Sequence, residues 1–119
     1  MLKTSLVAAF EDDRGTITDL IEDAAYAVTV VKSNKGAIRG NHLHKLTDQW
    51  AYVLSGRLRV ASGIGEVTAE AGDMVYTPPG EPHAWEALED TVCVVFTLGP
   101  RSGSNYESDT YRLTEPILT

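Results

Sequence analysis

The chain has 119 residues, 43% of them hydrophobic and 23% charged, which are ordinary values for one globular domain that buries a core. Seventeen acidic against ten basic residues give a net charge of −7, which disfavours nucleic-acid binding because that needs a basic face against phosphate. Cys93 is the only cysteine, so an intrachain disulfide and a cysteine-rich zinc site are both excluded.

Along the chain, the opening MLKTSLVAAFEDDRG has an apolar stretch too short for a signal peptide. No later run approaches the ~20 apolar residues of a membrane span. A cytoplasmic protein with no membrane or nucleic-acid partner is the resulting expectation. Glu11 to Asp23 holds six acids and one arginine. Thr18 to Ala25 is the best helical segment, one or two turns at most. Tyr26-Ala-Val-Thr-Val-Val31 is a β-branched run that reads as a strand. From Ala24 to Thr47 there is no acid, while Lys32, Lys35, Arg39, Lys45, His42 and His44 all lie there. A locally cationic, histidine-bearing segment in an acidic protein points to a small anionic ligand. Trp50 to Leu54, Leu58 and Val60 between arginines, Met74 to Thr77 and Thr91 to Leu98 continue the period-two pattern. Turns at Ser55-Gly56, Ser62-Gly63, Gly72-Asp73 and Pro78-Pro79-Gly80 separate them. The spacing predicts an all-β, antiparallel double-sheet jelly roll.

All three histidines fall in two short motifs, Arg39-Gly-Asn-His42-Leu-His44-Lys45 and Pro78-Pro-Gly80-Glu-Pro-His83. His42 and His44 are two apart, so on a strand both project to one face. Lys45 to Asp48 then turns the chain, and Gln49 starts the returning strand beside them. His83 follows a Pro-Gly turn, where a neighbouring strand supplies a third imidazole. Three imidazole nitrogens and an amide oxygen make a mononuclear site for a first-row metal. The competing reading leaves these histidines on the surface.

The two stretches resemble the paired motifs of the cupin superfamily, G-x5-H-x-H-x4-E-x6-G and G-x5-P-x-G-x2-H. Gly36, His42, His44 and Gly56 match the first, and Gly72, Pro78, Gly80 and His83 the second. The resemblance implies one small cupin jelly-roll barrel, an antiparallel double-stranded β-helix, over residues 1–119. It also implies iron, manganese, nickel or zinc on His42, His44 and His83. Gln49 stands where the family has Glu, and a neutral amide is a weaker ligand for a hard cation. Asp48 replaces it only if the register slips by one.

A narrower stretch, Arg39 to Lys45 with Gln49 following, is similar to sugar-nucleotide cupins, the dTDP-sugar ketoisomerases, which work without metal. Asp13-Arg-Gly15 and Ser108-Asp-Thr-Tyr-Arg112 add to that likeness, and the epimerase domain of capsule-sugar reductases has a comparable first motif. This resemblance implies an isomerase or epimerase acting on an anionic sugar derivative, a sugar nucleotide among them. His42 and His44 are then the base and acid that move a proton next to a ketone, and Arg39 and Lys45 hold a diphosphate or an enediolate oxygen. The strand before the motif departs from those enzymes, since it offers only Tyr26 and Thr29. A metal-dependent cupin with oxygenase or other small-molecule chemistry at His42, His44, Gln49 and His83, and a non-catalytic binding cupin, are the alternatives. Trp85 shares a strand face with His83 and is expected to contact the substrate. Glu81 and Glu86 flank His83 as candidate orienting carboxylates, Tyr106 is a candidate cover for the pocket mouth, and Cys93 is expected to be buried in phase with Val95. Trp50 and Tyr52 are expected to face outward, and a homodimer is expected because so short a barrel leaves edges to cover.

Overall fold

The computed structural model describes residues 1–101 and 107–119, and every regular element among them is a strand. In chain order these are β1 (Phe10–Asp12), β2 (Gly15–Glu22), β3 (Tyr26–Ser33), β4 (Ile38–Leu43), β5 (Asp48–Ser55), β6 (Arg57–Ser62), β7 (Glu66–Glu70), β8 (Met74–Thr77), β9 (His83–Ala87), β10 (Thr91–Leu98) and β11 (Tyr111–Arg112). Six strands form one antiparallel sheet in the order β1-β2-β3-β10-β5-β8, and five form the other in the order β11-β4-β9-β6-β7. The chain crosses between sheets after β3, β4, β5, β7, β8, β9 and β10, which is the double-sheet jelly roll expected from the strand pattern.

Alternation along each strand decides what lies between the sheets. Ala27, Thr29, Val31 and Ser33 of β3 are buried, as are Gln49, Ala51 and Val53 of β5 and Cys93, Val95 and Thr97 of β10. The register aligns these rows, with Val95 between Thr29 and Ala51, and Cys93 between Val31 and Val53. Leu58 of β6 joins Val53 and Cys93 in the apolar cluster, and all three are at most 1% exposed. Each such aliphatic side chain contributes about 1.5–3 kcal/mol by leaving water. Trp50 faces outward and stacks on Tyr76, ring centroids 5.1 Å apart.

Thr18 to Ala25 is not helical. Residues 18–22 complete β2, which pairs with β3 from Gly15 opposite Ser33 to Glu22 opposite Ala27. Thr16, Ile17, Thr18 and Ile21 are β-branched and suit a strand, and the edge of β3 satisfies their backbone groups. Tertiary pairing overrides the weak local helical signal.

Two features shape the strand that carries the first histidines. Gly40 and Asn41 have φ of 89° and 58°, and the register of β4 against β9 slips there, from Gly40 opposite Ala84 to His42 opposite His83. This is a β-bulge, one extra residue that reverses the inside–outside phase. Arg39 and His42 are three apart and in a regular strand would face opposite ways; the bulge lets both line the same cavity. Asn41 Oδ1 accepts from the backbone N of Ile117 (2.8 Å) and Leu118 (3.1 Å), and Asn41 Nδ2 donates to the Leu118 carbonyl (3.0 Å). That side chain ties residues 117–118 across the outside of the bulge.

Candidate metal centre

The site assembles at one end of the barrel, where β4 ends and β9 begins. His42 and His83 are directly paired, and His44 follows β4 by one residue. Ring centroids are 4.7 Å apart for His42–His44, 4.7 Å for His42–His83 and 5.2 Å for His44–His83. One potential ligand atom from each lies within 4.8 Å of the others. The Pro78-Pro79-Gly80 turn joins the two motifs directly, because Gly80 N donates to the His44 carbonyl at 2.6 Å.

Backbone carbonyls set the state of two rings. His44 Nδ1 lies 3.0 Å from the Asp109 carbonyl oxygen, and His83 Nδ1 lies 3.1 Å from that of Glu81. A carbonyl only accepts, so each Nδ1 carries the hydrogen and each Nε2 presents a lone pair. Both Nε2 atoms are buried and have no hydrogen-bond partner among the described residues. An unsatisfied buried polar atom costs about 1–3 kcal/mol. Two of them where three imidazoles converge fit a divalent cation, which binds neutral imidazole nitrogen. Burial, with smaller repulsion from neighbouring imidazoles and Arg101, lowers His42 to about 3. Burial likewise lowers His83 to about 4, and it lowers His44 as well. All three are neutral at pH 7, the form that ligates.

Gln49 is the first inward residue of β5, 6% exposed, and stands between buried Thr77 of β8 and Thr97 of β10. It lines the same cavity as His42 and His83. Asp48 points the other way and accepts from the Tyr76 hydroxyl at 2.5 Å, so no register slip brings a carboxylate inward.

The cavity holds about 260 Å³, and Arg39 and Trp85 form part of its wall. Arg39 is 9% exposed. Its Nε donates to Ser33 Oγ (2.9 Å) and its Nη2 to the Lys32 carbonyl (3.1 Å). Both acceptors are neutral, and Arg39 makes no ion pair among the described residues. Arg14, Arg101 and Arg112 also reach the cavity, with Arg14 paired to Asp12 and Arg112 to Glu107, so arginines outnumber acids in its wall although the whole chain is acidic.

Not every other candidate lies at the site. Lys45 does not line the cavity; one residue beyond His44 it faces outward, with Nζ 4.0 Å from the Tyr111 ring centroid. Glu86 pairs with Arg59 at 3.1 Å instead of His83, and Glu81 orients His83 through its backbone carbonyl. Cys93 is buried in phase with Val95, and burial pushes its thiol up to about 11. Tyr106 lies outside the described residues. Residue type alone marks neither Asp109 nor Arg14, although both lie in stretches that share the sugar-nucleotide likeness, Ser108 to Arg112 and Asp13 to Gly15.

The family model of the cupin domain matches residues 29–99, more than half of the chain. The chain belongs to the cupin family. Oxalate decarboxylase OxdC of Bacillus subtilis is 35% identical to this cupin over 107 residues, which is 84% of the chain but 26% of the enzyme. A solved structure of oxalate decarboxylase from that organism, a protein with Mn(II) centres, has a TM-score of 0.70 at 27% identity, covering 92% of this cupin and 31% of that chain. CapF of Staphylococcus aureus, a capsular polysaccharide assembling protein, has a TM-score of 0.70 at 27% identity over 93% of this cupin and 33% of that chain. KdgF from Halomonas sp., at 22% identity and a TM-score of 0.68, covers 82% of this cupin and 89% of that chain, and speaks for the fold alone. This cupin thus corresponds to only part of the length of oxalate decarboxylase and CapF.

Proposed function

We propose that this cupin binds one divalent first-row metal through His42, His44 and His83, with Gln49 as a fourth side chain, and acts on a small anion held against Arg39. The observation that carries the reading is the pair of buried Nε2 atoms on His44 and His83, without a hydrogen-bond partner among the described residues, each with its Nδ1 hydrogen fixed on a backbone carbonyl. A bound divalent metal supplies polarisation of a ligand oxygen. The chain's own residues do the rest. Arg39 is a nearly buried cation that makes no ion pair among the described residues, and a substrate carboxylate or enediolate oxygen would accept from its remaining N–H groups. Ser33 and the Lys32 carbonyl hold the guanidinium in place before substrate arrives. Trp85, Val31 and Val95 give the cavity an apolar wall that limits water beside the centre. At about 260 Å³ the cavity is below the ~300–1,000 Å³ of ordinary small-molecule sites, which favours a small acid or sugar acid over a whole sugar nucleotide.

The likeness to CapF supports the second reading, proton transfer by His42 and His44 on an anionic sugar derivative. That reading needs one imidazole to serve as an acid, and burial disfavours the charged form of all three rings. Elemental analysis after exposure to iron, manganese, nickel or zinc separates the two. The metal reading expects about one metal per chain, lost in His83→Ala; no retained metal with any of the four sinks it. The isomerase reading expects calorimetric binding of a keto-sugar nucleotide by the metal-free chain, abolished in His42→Ala.

A further inference from the structure

We infer that Asp109 is a positioning residue for the metal centre: it holds His44 in its ligating tautomer by clamping the turn that follows the histidine pair. The inference rests on the metal reading above for its purpose, but its geometry is independent of any metal. Asp109 lies 65 positions from His44, in the short segment that leads into β11. Its carboxylate and its carbonyl reach one place. Its Oδ1 accepts from Lys45 N (2.9 Å), and its Oδ2 accepts from Leu46 N (2.8 Å) and from Thr47 Oγ1 (2.7 Å). Its backbone carbonyl accepts from His44 Nδ1 at 3.0 Å. One residue therefore engages four consecutive positions, 44 to 47, three through its carboxylate and one through its main chain.

Backbone conformation makes this possible. Asp109 has φ 51°, the left-handed region that Asp tolerates better than most side chains. The turn it grips is anchored in turn: Thr47 is fully buried, and its Oγ1 also accepts from Arg101 N at 3.2 Å. Release of the carboxylate frees the Asp109 carbonyl from its place opposite the ring. With no carbonyl opposite it, Nδ1 loses its preference for the hydrogen, and a ring that carries the hydrogen on Nε2 does not ligate through that nitrogen. The two carbonyl-held histidines differ here. His83 is fixed by Glu81, two residues away in its own turn, and gains nothing from Asp109. His83 is thus an internal control.

The test uses the full chain, metal-free and near neutral pH, with nitrogen-15 NMR of the imidazoles. Wild type is expected to show His44 and His83 both protonated on Nδ1. In Asp109→Ala, His44 is expected to shift toward the Nε2-protonated form while His83 stays unchanged, and zinc affinity is expected to fall about 10–100-fold. Asp109→Asn, which keeps one acceptor oxygen for the turn, is expected to recover part of both, and supplies the same readings where the alanine variant does not fold. An unchanged His44 tautomer with unchanged zinc affinity overturns the inference. An equal shift at His83 also overturns it, because that marks general loosening. If wild type binds no zinc yet His44 alone shifts in the variant, the metal reading fails and the positioning role stands.

Discussion

His42 stands directly opposite His83 across the β4–β9 pair, their ring centroids 4.7 Å apart and their planes at 84°. The bulge at Gly40 and Asn41 creates this opposition. A Cβ on Gly40 would sit 2.9 Å from the His83 carbonyl oxygen, in a backbone conformation with φ +89°. Gly40→Ala is therefore expected to push β9 away just where His83 begins it. The expected outcome is a loss of about 1–3 kcal/mol in urea unfolding, with zinc affinity reduced more than for an equally destabilising change in the distant core such as Val53→Ala.

Restoring the family's carboxylate is expected to separate the metal-free from the metal-loaded protein. Gln49→Glu places an ionisable group in a pocket walled by Thr77 and Thr97, 6% exposed in the wild type. Without metal the buried charge has no partner and the melting temperature drops. With manganese or zinc the carboxylate is the better ligand, and affinity is expected to rise at least about 10-fold. Paired thermal melts with and without metal check both arms; a variant that melts lower in both states contradicts a ligand role for position 49.

Acid sensitivity follows from the lowered histidines. Their folded values, about 3 for His42 and about 4 for His83 with His44 lowered too, lie below the ~6.5 of an unfolded histidine. Below about pH 6.5 the unfolded chain takes up protons that the folded chain refuses, so stability falls as pH falls. The loss approaches roughly 1.4 kcal/mol per pH unit for each histidine and levels off once the folded rings protonate. Urea unfolding of the metal-free protein between pH 7 and pH 4 measures it. His42→Gln is expected to flatten the slope by about one histidine's share.

Arg39 is expected to trade stability against binding. It is nearly buried, with only neutral acceptors. Arg39→Met removes that charge from a low-dielectric site at little cost to folding, or with a gain. Protection of the metal-loaded protein by small carboxylates in thermal-shift titrations is expected to disappear in the variant. Undiminished protection contradicts an anion site at Arg39.

How far the residues announce this architecture depends on where each contact is written. β3, β5 and β10 are legible because β-branched and aromatic residues alternate there without interruption. The convergence of His42, His44 and His83 is legible because it rests on spacing within two motifs. β4 is harder: regular alternation puts Arg39 and His42 on opposite faces, and only pairing with β9 makes Gly40 and Asn41 a bulge that brings both to one cavity. Residues 18–22 carry a helical pattern too short to survive once β3 offers its edge. Lys45 directly follows the histidines, yet it lies in the bend after β4 and its ammonium sits over the Tyr111 ring, outside the cavity. The contacts of Asp109 with residues 44 to 47 join positions 62 to 65 apart in the chain, so nothing local in the sequence announces them.

The apolar cluster of Val53, Leu58 and Cys93 and the histidine cluster occupy opposite ends of one interior. On β5 they are separated by the step from Gln49 to Val53, and on β9 by the step from His83 to Ala87, which lies against Leu58. Changes of ligand at the open end thus leave the closed end's packing intact. Evolution, or a designer, can exchange the donor set of such a barrel one residue at a time without first rebuilding what keeps it folded.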